Sequence, residues 1–142
     1  MAANASLRAM PESAAPLQLL AISGSLRARS INTAVLRALQ ALAPAHVAVT
    51  IYPGLGALPH FNPDLDVEPA PEPVAALRQA VASADVLVIC TPEYAHGVPG
   101  VLKNGLDWLV SYEGFIAKPV ALIMPDPAPP WRWRRCAAPS PS

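Results

Sequence analysis

Leu17-Gln18-Leu19-Leu20-Ala21-Ile22-Ser23-Gly24-Ser25-Leu26-Arg27-Ala28-Arg29-Ser30-Ile31-Asn32 passes from a nearly unbroken apolar run into a loop of hydroxyls, arginines and an amide. Apolar sequence without alternation reads as a strand covered on both faces, as in a parallel sheet flanked by helices. Beyond the loop, Ile31, Val35, Leu39 and Leu42 recur at helical spacing and predict an amphipathic helix ending near Pro44. The loop therefore sits where a strand becomes a helix. A helix N-terminus offers unpaired N–H groups and a partial positive charge. Ser25, Ser30 and Asn32 add short donors, and Arg27 can make a charge-assisted contact, so the stretch reads as a phosphate cradle. Plain helix capping by Ser30 or Asn32 is the alternative reading of the same residues. No Gly-Lys-Ser/Thr follows, and Gly24 is the loop's one glycine, which excludes a Walker A loop and a dinucleotide turn.

Working outward, strands and helices alternate. His46 to Tyr52 is rich in β-branched residues and stops at Pro53-Gly54, which predicts a second strand. Six prolines between Pro53 and Pro73, with His60, Asn62, Asp64 and Asp66 among them, predict an irregular surface connection. His60 lacks a repeated ligand spacing, and no metal site is expected. Val74, Leu77 and Val81 mark a helix, and Val86 to Cys90 a third buried strand with Cys90 as a core residue. Pro99 opens a further helix whose apolar face of Val101, Leu102, Leu106, Trp108 and Leu109 runs through Val110. Lys118 to Met124 completes a fourth strand.

This alternation implies an α/β fold with right-handed crossovers and helices on both faces of a parallel sheet. In the flavodoxin-like strand order 2-1-3-4-5 the ligand crevice opens between strands one and three. The loops Ser23 to Asn32 and Thr91 to Gly97 leave those two strand ends and are expected side by side. A phosphate in the first and a planar ring along the second describe flavin mononucleotide (FMN). Pro92, Glu93 and Tyr94 bring a stiff backbone and an aromatic surface, and Gly97 is expected to let the backbone approach closely. Taken singly, Tyr94 is also an ordinary surface aromatic and Glu93 an ordinary solvated carboxylate.

At 142 residues, 53% hydrophobic and 14% charged, the chain is one well-buried domain. Ten basic residues balance ten acidic ones, which gives no reason to expect nucleic-acid binding or attraction to a membrane surface. No apolar run approaches the roughly 18 residues of a spanning helix. Met1 to Pro16 lacks a continuous apolar segment ending in a cleavage site. A cytoplasmic protein with a loose arm at 1–16 is expected.

The paired patterns Gly24-Ser25-Leu26-Arg27-x-x-Ser30-x-Asn32 and Thr91-Pro92-Glu93-Tyr94-x-x-Gly97-x-Pro99-Gly100-x-Leu102-Lys103-Asn104-x-Leu106-Asp107-Trp108 closely resemble the NADPH-dependent FMN reductase family, which includes quinone, chromate and azo-dye reductases. The resemblance runs from about Leu17 to Met124. It implies a flavodoxin-like fold, bound FMN, NADPH as co-substrate, and a homodimer or homotetramer. By that similarity Ser25, Leu26, Arg27, Ser30, Ile31 and Asn32 surround the FMN phosphate, while Pro92, Glu93, Tyr94 and Ala95 line the ring. Many relatives carry asparagine where this chain has Ala95, and His96 is placed to substitute in part. Lys103, Asn104, Asp107 and Trp108 read as helix packing and subunit contacts. The implied mechanism is ping-pong: NADPH reduces the flavin, leaves, and a quinone, free flavin, chromate or azo compound takes the electrons. The alternatives are a non-enzymatic electron carrier and an inactive fragment.

Pro125 to Ser142 holds six prolines in 18 residues and suits neither a helix nor a central strand. The family pattern calls for a further loop, helix and fifth strand there. A frameshift or truncation after Met124 is expected, leaving a Pro/Arg/Trp-rich tail at 125–142 and an incomplete domain at 17–124.

Overall fold

The computed structural model describes residues 15–125. The tail from 126 onward, including Cys136, and the arm up to residue 14 lie outside the described residues. Strand β1 spans Leu17–Ser23, helix α1 Ile31–Leu42, β2 Val47–Tyr52, α2 Glu72–Ala82, β3 Val86–Cys90, α3 Gly100–Asp107 and β4 Val120–Ile123. The strands form one sheet in the order β2-β1-β3-β4, and every pairing is parallel. The expected flavodoxin-like order is therefore present in its first four strands.

Because side chains alternate along a strand, each strand feeds two cores. Leu20 and Ile22 of β1 and Leu87 and Ile89 of β3 pack with Val74, Leu77 and Val81 of α2 and with Leu102, Trp108 and Leu109 at α3. On the other face Ala21, Val88 and Cys90 pack against Leu36. Each fully buried large side chain contributes roughly 1.5–3 kcal/mol relative to exposure, so the sheet is held from both sides. The fourth strand is the exception: Val120 and Leu122 are about half exposed at the sheet's edge.

Three expectations are corrected. The buried face of α1 is centred on Asn32 and Leu36, while Ile31 and Leu42 of the predicted stripe face solvent. Val35 and Leu39 of that stripe are partly buried and pack against the same core as Leu36. Helix α3 stops at Asp107 and does not run through Val110, which is exposed. The proline-rich connection is not purely irregular: Leu55–Ala57 and Pro63–Leu65 are 3₁₀ turns, and Leu55 is buried. Among the described residues no helix is long and apolar enough to cross a membrane.

Candidate functional site

Parallel strands β1 and β3 pair in register from Leu19↔Val86 to Ser23↔Cys90, so both end at the same rim. The loops that follow are joined there. Gly24 N–H donates to the Cys90 carbonyl at 2.8 Å, extending the ladder by one bond. A methyl group at Gly24 would stand 2.4 Å from Thr91 Oγ1, 2.8 Å from Thr91 Cβ and 3.2 Å from Leu102 Cδ2. Thr91 is wholly buried, and its N–H is tied to the Ile123 carbonyl at 3.0 Å. Glycine is required at 24 because the backbone of one loop rests on the side chain that starts the other.

In the first loop Ser23 Oγ and Thr33 Oγ1 share a hydrogen bond at 3.0 Å. Ser25 N–H donates to Ser23 Oγ at 3.3 Å, and Arg27 N–H to Ser25 Oγ at 3.4 Å. These bonds fold the loop back over the start of α1. Ser23 and Thr33 were not singled out in the sequence, although two hydroxyls bracketing the loop are the available signal. Ser30 Oγ accepts from Thr33 N–H at 3.3 Å, so capping is real, and its own O–H stays available to donate. Asn32 is buried, and its Oδ1 accepts from Cys90 Sγ at 3.5 Å, which draws this side chain inward from the loop. Burial pushes the Cys90 thiol up from its ordinary range. Leu26 and Ile31 are exposed, so they offer the loop backbone and not a side-chain pocket.

The donor set fits an anionic group. Among the described residues the N–H groups of Ile31 and Asn32, in the first turn of α1, find no protein acceptor. Neither exposed guanidinium, Arg27 or Arg29, enters an ion pair there. Open amides, a helix N-terminus and unpaired arginines are the chemistry of phosphate binding.

The second loop is a hairpin of its own. Tyr94 and Gly97 exchange both backbone hydrogen bonds, at 2.9 and 3.0 Å, and Ala95 and His96 between them have φ of 51° and 60°. Two consecutive positive φ values define a type I′ turn, which asparagine and glycine adopt far more readily than alanine. No protein side chain crowds Gly97: a methyl there would meet only the Tyr94 carbonyl, at 3.8 Å. Pro92 is partly buried, whereas Glu93, Tyr94 and Ala95 face solvent. His96 Nδ1 lies 3.6 Å from Glu93 Oε1 across the turn.

Helix α3 carries the second loop onward and is seated on the proline-rich connection. Asn104 Oδ1 accepts from Phe61 N–H at 2.7 Å, and its Nδ2 donates to the Pro59 carbonyl at 2.9 Å. Trp108, wholly buried, donates from Nε1 to the same carbonyl at 2.9 Å and meets Phe61 edge-to-face at 5.0 Å. The packing role expected of Asn104 and Trp108 is thus observed, while Lys103 and Asp107 form an exposed i,i+4 ion pair. Arg78 of α2 donates to the Trp108 carbonyl at 2.9 Å and to Asp66 Oδ1 at 2.6 Å. The Ser111 hydroxyl, foremost, and the Arg78 guanidinium hold the Asp66 carboxyl below its usual range. Among the described residues no three His, Cys, Asp or Glu side chains are grouped to hold a metal.

The family model described as NADPH-dependent FMN reductase matches residues 17–127. The chain belongs to that family. This FMN reductase family member is 43% identical over 94 residues to a quinone reductase of Escherichia coli K12, covering 66% of this chain and 50% of that protein. It is 34% identical over 109 residues to an NAD(P)H-dependent FMN reductase of Pseudomonas aeruginosa, covering 75% of this chain and 58% of the other. Its fold is similar to a flavoenzyme NAD(P)H:(acceptor) oxidoreductase of Paracoccus denitrificans, with a TM-score of 0.71 and 34% identity over 79% of this chain and 62% of that one. The chain spans about half the length of the curated relatives it matches.

Proposed function

We propose that this member of the FMN reductase family holds FMN across the two loops, takes reducing equivalents from NADPH and passes them to a quinone. The observation that carries the reading is the contact of Gly24 with Thr91, which leaves phosphate-type donors and an exposed aromatic turn on one sheet rim. Relatives named as quinone reductases support the choice of acceptor, and the family description supports NADPH.

The chain's own residues have distinct tasks. Ser25, Ser30 and Arg27 donate to the phosphate, joined by the open N–H groups of Ile31 and Asn32 and the Leu26 backbone. The α1 dipole favours the dianion. Pro92, Glu93, Tyr94 and Ala95 present a turn whose backbone faces the ring, with the Tyr94 aromatic surface beside it. Arg29, exposed next to the cradle, is placed to draw in the phosphates of a nicotinamide nucleotide. When bound, FMN supplies the two-electron chemistry, so no acid–base pair or nucleophile is required of the protein.

The test is a visible spectrum of the purified protein saturated with FMN, followed by NADPH under nitrogen and then a benzoquinone. The expected result is bleaching on NADPH and recovery of the yellow colour on quinone. A colour that persists in NADPH indicates a carrier, and failure to take up FMN at all overturns the reading.

A further inference from the structure

Beyond their direct contact at Gly24 and Thr91, the two ligand loops share a support, helix α3. Leu102 of α3 presses on Gly24, at 3.2 Å from where a Cβ would lie, so a shift of α3 moves the cradle. The N-terminus of α3 also continues directly from the ring-side turn. Any displacement of α3 therefore changes both halves of the site together. Besides its packing on the sheet and α2, α3 is held by the connection after β2, which reaches it and its C-cap through Asn104 and Trp108 at Pro59 and Phe61. A second, independent contact is steric: a methyl at Gly105 would stand 2.7 Å from Cδ1 of the buried Leu55. Gly105 has an ordinary negative φ, so only space, not backbone conformation, opposes a side chain there.

We infer that Asn104 and Gly105 are positioning residues for the mononucleotide, setting the separation of the phosphate cradle and the ring-side turn by seating α3 on the segment from Leu55 to Phe61. The inference rests on the FMN reading of the site for its ligand, but not for its geometry. Asn104 uses both ends of its amide, one as acceptor from Phe61 N–H and one as donor to Pro59. Leucine at 104 keeps the volume and removes both bonds. Aspartate keeps the acceptor alone. Gly105→Ala leaves all the hydrogen-bonding groups intact and pushes α3 away from Leu55.

The experiment compares wild type with Asn104→Leu, Asn104→Asp, Gly105→Ala and, as a destabilised control on the opposite face of the sheet from α3, Val49→Ala. Two quantities are read: FMN affinity by fluorescence quenching well below the unfolding temperature, and amide hydrogen exchange of residues 24–30 and 92–97 in the ligand-free protein. Asn104→Leu and Gly105→Ala are expected to weaken FMN about tenfold through lost preorganisation and to speed exchange in both loops. Asn104→Asp is expected to fall between them and wild type. Val49→Ala, whose partly buried side chain on β2 packs in the core on the other face of the sheet, is expected to lower the melting temperature and leave both readouts unchanged. Unchanged loop exchange in Asn104→Leu and Gly105→Ala, or an equal response in Val49→Ala, overturns the inference. If wild type takes up no FMN, the ligand assignment fails while the exchange comparison still decides the positioning role.

Discussion

Replacing Gly24 by alanine is the most informative single change, because its effect can be worked out from distances alone. The added carbon lands 2.4 Å from Thr91 Oγ1 and 2.8 Å from Thr91 Cβ, where carbon–carbon contacts are comfortable only near 3.5–4.0 Å. The neighbour cannot yield: Thr91 is fully buried, bonded through its N–H to Ile123 and through its hydroxyl to the Pro92 carbonyl at 3.0 Å. The loops must separate by roughly an ångström instead, losing the Gly24–Cys90 bond geometry. Overpacking of this kind costs about 1–3 kcal/mol. Gly24 has no positive φ to lose, so alanine also gains about 0.4–1 kcal/mol by restricting the unfolded chain. The net expectation is a loss of about 1.3 kcal/mol in stability, within a span of about 0–2.6, and a fall of about ninefold in FMN affinity if the same strain appears in binding. Urea denaturation and FMN fluorescence titration measure the two. Adding Thr91→Ala removes the 2.4 Å clash but leaves the 2.8 Å one, so partial and not full recovery is expected. A Gly24→Ala protein with wild-type stability and wild-type FMN affinity refutes the claim that this contact joins the loops.

Ser30→Gly separates capping from ligand binding: glycine at an N-cap costs the helix only a few tenths of a kcal/mol, yet it removes a hydroxyl from the cradle, so FMN affinity should drop while the melting temperature barely moves. Ala95→Asn should raise the melting temperature by a few degrees, since a left-handed residue other than glycine or asparagine costs about 1–2 kcal/mol; calorimetry checks this. Asp66, with its carboxyl held low, contributes stability that is complete above the unfolded value near pH 3.9 and disappears as the pH falls through the lower folded value. Urea midpoints followed from about pH 7 to pH 3 should therefore decline less steeply in Asp66→Asn than in wild type, the two curves converging in acid.

Much of the fold was legible because its signals are local. Leu17 to Ile22 and Val86 to Cys90 are continuous apolar runs, and a strand buried on both faces has few other sequences available to it. The order of the first four strands came with the flavodoxin-like pattern that the family resemblance implies, not from the alternation of elements alone. The rotation of α1 was not legible: Val35 and Leu36 are adjacent apolar residues, and periodicity alone does not choose between the stripe through Ile31 and the one through Leu36. Leu36 is buried through Ala21, Val88 and Cys90, contacts that exist only once the sheet is assembled. At the site, the cradle and the turn could be named from residue types. The turn's form could not, because a type I′ hairpin is normally announced by Asn-Gly and here the positions hold Ala95 and His96. Nor could the seating of α3, since Asn104 and Trp108 bond residues 43 to 49 positions away.

The mutual hydrogen bonding of Tyr94 and Gly97 has a kinetic corollary. Tyr94 and Gly97 satisfy each other's amides without a ligand, so on the FMN reading proposed above the ring-side backbone is ordered before an isoalloxazine arrives and little backbone entropy is left to surrender there. On the same reading, differences in retention among variants of this rim are expected mainly in how slowly the guest departs.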